Sequence, residues 1–336
     1  MLNKLSLSSR EIRLPAISTL ALAVTLSLSS NTVFANGNHN HNKKPFCSMT
    51  ATSAYRACSF ETKDDYWVAV GNCVNESDPK DMRACYQEAL AEKREGNKSC
   101  KEQLEARREV CELVGEERYD PDFDPANFVD PAEIGNGVAP NPYFPLVPGT
   151  EWVYEGGDET ITVTVTGKTK LIDGVICRIV LDVVEEDGKT IEITDDWYAQ
   201  DVDGNVWYCG ESARDFETFE GDDPEEPELV SIDGSFKAGR DDAKAGILML
   251  AAPQVGDAYR EEVSLGEAED IAEVTSVSGA ETVPAASCIN NCLVTRNFTP
   301  LEPGVEETKY YAPGVGLILE VDDEGNRTEL VEFTMP

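Results

Sequence analysis

From Tyr143 onward the apolar and polar positions alternate with a period of two. Ile161, Val163 and Val165 interleave with Thr160, Thr162, Thr164 and Thr166, the mark of a half-buried strand. After Asp173 the odd positions Val175, Cys177, Ile179, Leu181 and Val183 are apolar. Pairing across the next two turns puts Ile191, Ile193, Trp197, Trp207 and Cys209 on that same face, which predicts a core lined with tryptophan and cysteine. Asp173-Gly174, Asp187-Gly188, Asp203-Gly204 and Gly325-Asn326 punctuate the hairpins. Further strands are expected at 151–155, 258–264, 271–278, 292–298, 307–312, 316–321 and 328–333. The stretch Glu220 to Glu228, with its prolines and acids, reads as a surface loop. Many short strands joined by hairpins predict one antiparallel barrel, or a sheet curled over its core, across 142–336.

Residues 45–118 follow a helical pattern instead. Ser77-Asp78-Pro79 combines a capping side chain with proline at the first helical position. The run Lys80 to Glu95 has no breaker, Gly96-Asn97 reads as its end, and a further helix is expected from about Lys98 to Gly115. Six cysteines, Cys47, Cys58, Cys73, Cys85, Cys100 and Cys111, punctuate this region almost mirror-symmetrically. Folding it as two helical hairpins, with turns near Phe60 and Lys98, pairs Cys47 with Cys73, Cys85 with Cys111, and Cys58 with Cys100. A region this short is expected to need such staples, because its own core is small. The class is therefore α+β: a disulfide-stapled helical region followed by an antiparallel β domain. Between them, 119–141 carries Asp120-Pro121-Asp122-Phe123-Asp124-Pro125, Asp130-Pro131 and Pro140, an extended Asp/Pro strap.

The first 35 residues look like a secretory signal peptide. Lys4, Arg10 and Arg13 precede the apolar run Leu14 to Ser29, and Val33-Phe34-Ala35 offers a cleavage site near Ala35. Nothing later in the chain is long and apolar enough to span a bilayer as a helix. The expected location is secreted or periplasmic. Cysteine usage agrees: with Cys177, Cys209, Cys288 and Cys292 the total is ten, an even number that in an exported chain predicts disulfides throughout. None forms C-x-x-C, which disfavours redox catalysis and haem attachment.

Charge changes the picture further. The chain carries a formal −36, distributed unevenly. Residues 43–118 hold 13 basic and 15 acidic side chains, whereas 119–336 hold 12 and 48. Such a field repels nucleic acid and attracts cations or basic partners. His39 and His41, in the polar tail 36–44, are the two histidines of the whole chain. A Ser-His-Asp triad, a Cys-His pair and a His-ligated catalytic zinc therefore have no histidine in the body of the protein. Phosphate-loop and dinucleotide-turn motifs are also missing.

Several phrases are distinctive: Asn141-Pro142-Tyr143-Phe144-Pro145-Leu146-Val147-Pro148-Gly149-Thr150-Glu151-Trp152-Val153-Tyr154, Asp196-Trp197-Tyr198-Ala199-Gln200-Asp201, Gly204-Asn205-Val206-Trp207-Tyr208, and Tyr310-Tyr311-Ala312-Pro313-Gly314-Val315-Gly316-Leu317. Across about 141–321 the chain resembles a widespread group of exported bacterial β-rich proteins. The resemblance implies a fold and a location, and no activity. Cys209, Cys288, Cys292 and the helical region depart from the group's pattern.

Two oxygen-rich turns are candidate cation sites. Asp201, Asp203 and Asn205 recur at alternate positions around Gly204, as calcium ligands do, and an ordinary Asp-Gly hairpin gives the same pattern. Asp120, Asp122 and Asp124 alternate likewise, but Pro125 and Pro131 stand where a calcium-binding helix-loop-helix needs glycine and glutamate. Asp195, Asp196 and Asp201 flank the two inward tryptophans, an arrangement open to a carboxylate-based glycan enzyme. The expected function is a secreted or periplasmic, non-catalytic binding or interaction module, with Ca²⁺ as the candidate cofactor and a cation, basic partner or glycan as ligand. The rival readings are that glycan enzyme and an envelope-associated structural protein docking through its helices.

Overall fold

The computed structural model describes residues 44–336. The expected signal peptide with its cleavage position, and the His39/His41 tail, lie outside the described residues.

Two helices open the described chain, α1 (Phe46–Val74) and α2 (Pro79–Val114). Asp78 caps α2, its carboxylate accepting from the backbone N–H groups of Lys80 (2.7 Å) and Asp81 (3.2 Å), with Pro79 next in line. That start was legible in the sequence. The turns expected near Phe60 and Lys98 do not exist, and the region is one long hairpin rather than two. Gly96 is the reason for the misreading. A Cβ there would sit 2.9 Å from Thr62 Cγ2, so this glycine lets α1 and α2 approach closely instead of ending a helix.

The disulfides correct accordingly. Cys73 joins Cys85, Cys58 joins Cys100 and Cys47 joins Cys111, three nested bridges each centred on residue 79. The Cys58–Cys100 pairing was anticipated; the Cys47–Cys73 and Cys85–Cys111 pairings were wrong. Mirror symmetry in the spacing belonged to a single turn at Pro79. Two further bridges, Cys177–Cys209 and Cys288–Cys292, staple the β domain.

The β domain contains β1 (Glu151–Gly156), β2 (Glu159–Ile172), β3 (Val175–Glu186), β4 (Lys189–Gln200), β5 (Val206–Ser212), β6 (Asp215–Glu217), β7 (Glu228–Ser231) and β8 (Lys244–Met249). It continues with β9 (Ala258–Arg260), β10 (Glu262–Val263), β11 (Ile271–Val283), β12 (Ala286–Phe298), β13 (Glu306–Ala312), β14 (Gly316–Val321) and β15 (Arg327–Thr334). All pairs are antiparallel, in the order β10-β8-β5-β4-β3-β2-β1-β15-β14-β13-β12-β11-β9, with β6 and β7 as a side ribbon on β4. The chain 258–263 nearly closes the sheet into a barrel. Its first half pairs with β11 and its second half with β8, so one segment touches both edges. Gly246 admits that crossing, since a Cβ on it would lie 2.1 Å from the Glu261 carbonyl oxygen.

The alternating face read from the sequence is real, but it is not the barrel interior. Trp197 opposes Ile179 in the register, and Val175, Cys177, Trp197, Ala199 and Cys209 form a second core outside the barrel. Phe123 and Phe128 of the strap cover it, their rings 4.9 Å apart and both about 6 Å from the Trp207 ring. The even face of the same strands, Val180, Asp196 and Tyr198, points into the barrel. Both faces of β3 and β4 are covered, so alternation alone could not say which was inside.

The segment 141–150 stoppers one end of the barrel. Asn141 Nδ2 donates to the carbonyls of Gly204 (2.9 Å) and Leu250 (3.2 Å), and the Gly314 N–H donates to the Pro142 carbonyl (2.7 Å). Leu146 is fully buried, and the Phe144 ring stacks on Trp152. Against another side of the barrel lies the helical hairpin, held by Arg107 on Glu269 and by Gln103 Nε2 donating to the Leu301 carbonyl (2.9 Å).

Candidate functional site

Inside the barrel is a cavity of about 290 Å³. Strand direction sorts its lining. Each of β1, β4, β5, β13 and β14 has one end at the stoppered side, and near that end they contribute Trp152, Tyr154, Tyr198, Tyr208, Tyr311 and Leu317. Further along β4, β13 and β14 come the charged groups Asp196 beyond Tyr198, Lys309 beyond Tyr311 and Glu320 beyond Leu317, and β3 adds Asp182 beyond Val180. The closing segment and the residue before β11 add Glu261, Glu262 and Asp270. The cavity thus has an aromatic floor and an acidic upper wall.

Six carboxylates face one ammonium in that wall. Lys309 is engaged by Glu320 (3.1 Å) and Glu307 (3.3 Å). Desolvation opposes its charge, yet Glu320 and Glu307 outweigh it and raise its pKa well above the usual lysine value. Other acids find neutral donors. Tyr208 donates its hydroxyl to Asp196 and lies 2.9 Å from Glu211 Oε2, and Asn297 Nδ2 donates to Glu261 Oε2 at 2.7 Å. Asp182 is worse served: its Oδ1 is buried with no hydrogen-bond partner.

Carboxylates held this way prefer to keep a proton. Burial pushes Asp182 up to about 8, and Asp196, Glu192 and Glu320 add repulsion. It pushes Glu261 up to about 7, against the pull of Lys309 and Asn297. Glu211 also rises to about 7, burial first, with the Tyr208 hydrogen bond opposing it. Asp196 and Glu262 are raised well above their usual range, again by burial first; the electrostatic influences on Glu262 all come from other acids, Asp270, Glu211, Glu261 and Asp196.

The sites read from the sequence fare differently. Asp201 is buried, and its carboxylate is the organiser of its own turn. It accepts from the N–H groups of Asp203 (3.0 Å) and Asn205 (2.8 Å), from Asn205 Nδ2 (2.8 Å) and from Trp207 Nε1 (2.8 Å). Asn205 turns its oxygen to the Ala251 N–H (2.9 Å), and Asp203 is exposed. In the strap, Asp120 pairs with Lys244, Asp124 caps a short 3-10 turn at Pro125–Asn127, and Asp122 is exposed. Among the described residues no group of three or more His, Cys, Asp or Glu side chains is placed to hold a metal ion. Asp195 faces Arg214 (3.5 Å), away from Asp196, so the three acids expected around the tryptophans are dispersed over two faces.

Sequence reading had named Asp196 for the wrong neighbours and missed the rest of the wall. One signal was present: Asp182 interrupts the apolar run Ile179 to Val184. Glu261, Glu262, Asp270, Lys309 and Glu320 sit among ordinary surface-like charges in a chain with 64 acids, and nothing local marks them.

No helix among the described residues is long and apolar enough to cross a membrane. Comparison with protein families, curated proteins and solved structures finds no match for this chain.

Proposed function

We propose that the protein is an exported, non-catalytic binding module whose ligand is a small molecule held inside the barrel. The observation that carries this reading is the cavity, walled on one side by aromatic rings and on the other by carboxylates. Its volume approaches the lower end of the range for small-molecule sites, about 300 Å³ and above. Five disulfides suit an oxidising compartment outside the cytoplasm.

A carboxylate-based hydrolase gains less support. Asp196 and Glu211 flank a shared donor: the Tyr208 hydroxyl lies between them, in the position a substrate oxygen would need. The cation loops gain less support too, because the Asp201 oxygens already serve donors of their own turn.

The test is an environment-sensitive naphthalene dye titrated into the mature protein and into Val163→Phe, which adds a ring to the cavity wall. Emission should rise with the wild type and fall away with the variant. Equal binding by both, or none by either, would overturn the reading.

A further inference from the structure

We infer that the ligand of this cavity is a small aliphatic diamine, its two ammonium groups taken up by two separated carboxyl groups above an aromatic floor. The inference rests on the barrel cavity being the binding site, and it names the chemistry that site selects.

Charge balance is the first step. A desolvated carboxylate needs hydrogen-bond donors, a cation or a proton. Lys309 answers Glu307 and Glu320, Tyr208 serves Asp196, and Asn297 serves Glu261. Asp182 Oδ1 is buried and receives nothing. Glu262, half-buried, lines the same cavity, and no hydrogen bond or ion pair engages its carboxylate among the described residues. Leaving two such groups unanswered costs stability, and a fold keeps that cost where a ligand relieves it.

Geometry then narrows the cation. A metal ion wants three or more converging protein oxygens or nitrogens, and no such acid, histidine or cysteine group exists among the described residues. The unanswered carboxylates are spread instead: Asp182 lies on β3, and Glu262 lies on β10, with β4, β5 and β8 between them in the sheet. Two separated poles call for two ammonium groups joined by a spacer. The rings of Trp152, Tyr154, Tyr198 and Tyr311 below them suit methylenes and the skirts of ammonium groups. Each ammonium brings three N–H donors, the resource this wall lacks.

The experiment is isothermal titration of the mature protein with 1,4-diaminobutane at pH 7, in two buffers of different ionisation heat, with 1,4-butanediol and butyrate as controls. The diamine should bind, the controls should not, and the heat should differ between buffers because ammonium groups displace protons from the wall. Asp182→Asn and Glu262→Gln should each weaken binding tenfold or more while melting at or above the wild-type temperature. That second readout separates a ligand role from a structural one. Displacement of the naphthalene dye by butanediol or butyrate but not by the diamine would overturn the diamine and leave the cavity site standing. Failure of the dye itself to bind would remove the site along with its ligand. Unchanged diamine affinity in both variants would place the amine elsewhere and sink the inference.

Discussion

Arg107 of the helical hairpin and Glu269 of the barrel form a forked ion pair, Nη2 to Oε1 at 2.7 Å and Nε to Oε2 at 2.9 Å, with both residues only 5% exposed. A second bond locks it, the Gly266 N–H donating to Glu269 Oε1 at 2.7 Å. The hairpin and the barrel are therefore joined by a charge pair that cannot be halved cheaply. Arg107→Ala should cost about 3–5 kcal/mol, because it strands a buried carboxylate. Replacing both partners, as Arg107→Met with Glu269→Leu, should recover most of that loss. Chemical denaturation of the wild type and these two variants checks the pattern; a double variant no better than the single one would refute it.

The nested bridges make a definite prediction for a non-reducing peptide map. Cys47 should be found with Cys111, Cys58 with Cys100 and Cys73 with Cys85. Removing the middle bridge as Cys58→Ala/Cys100→Ala should lower stability by about 2–4 kcal/mol, measured by denaturant midpoint. A map linking Cys85 to Cys111 would restore the two-hairpin arrangement and contradict the single turn at Pro79.

Stability should fall as pH rises. The acidic wall is raised by burial in the folded protein, to about 8 for Asp182 and about 7 for Glu261 and Glu211. Above their unfolded values near 4, the native state binds more protons than the unfolded chain, so each unit of pH lost to these groups destabilises the fold. Their contribution is fully present below about pH 4 and is lost as pH climbs through 7 and 8. The melting temperature should accordingly drop between pH 5 and pH 8, and Asp182→Asn should flatten the slope. A slope that is unchanged in that variant would show that Asp182 does not titrate in this window.

Asp201 predicts a cation-independent defect. Because its carboxylate gathers four donors, Asp201→Ala should cost about 1–3 kcal/mol whether or not calcium is present. Melting in millimolar Ca²⁺ against NaCl of matched ionic strength gives the check. A calcium-specific rise in the wild type that vanishes in the variant would mean the turn rearranges to bind the ion.

Much of the fold was legible because strands and hairpin turns leave local marks. The alternation in 160–166 became β2, the Asp-Gly pairs became turns, and the strands expected after residue 258 all formed. Ser77-Asp78-Pro79 marked the start of α2 because capping is a local interaction. The failures share a cause. Gly96 read as a helix end because its partner Thr62 is distant in sequence. The Trp197/Cys177 face formed a core as its pattern predicted, but the position of that core outside the barrel, under Phe123 and Phe128 of the strap, could not be placed by pattern. The acidic wall depends on which of two buried faces closes inward, so its members are assembled by β-sheet register, and apart from Asp182, which breaks an apolar run, individual residues carry no sign of it.

The most direct test of a cavity-centred function is hydrogen exchange of the protein with and without saturating 1,4-diaminobutane. Protection should increase in β3, β4 and the closing segment 258–263, which carry Asp182, Asp196 and Glu262. Exchange in α1, α2 and the 201–205 turn should stay unchanged. Protection confined to the helical hairpin or to that turn, with the barrel strands unaffected, would contradict the account.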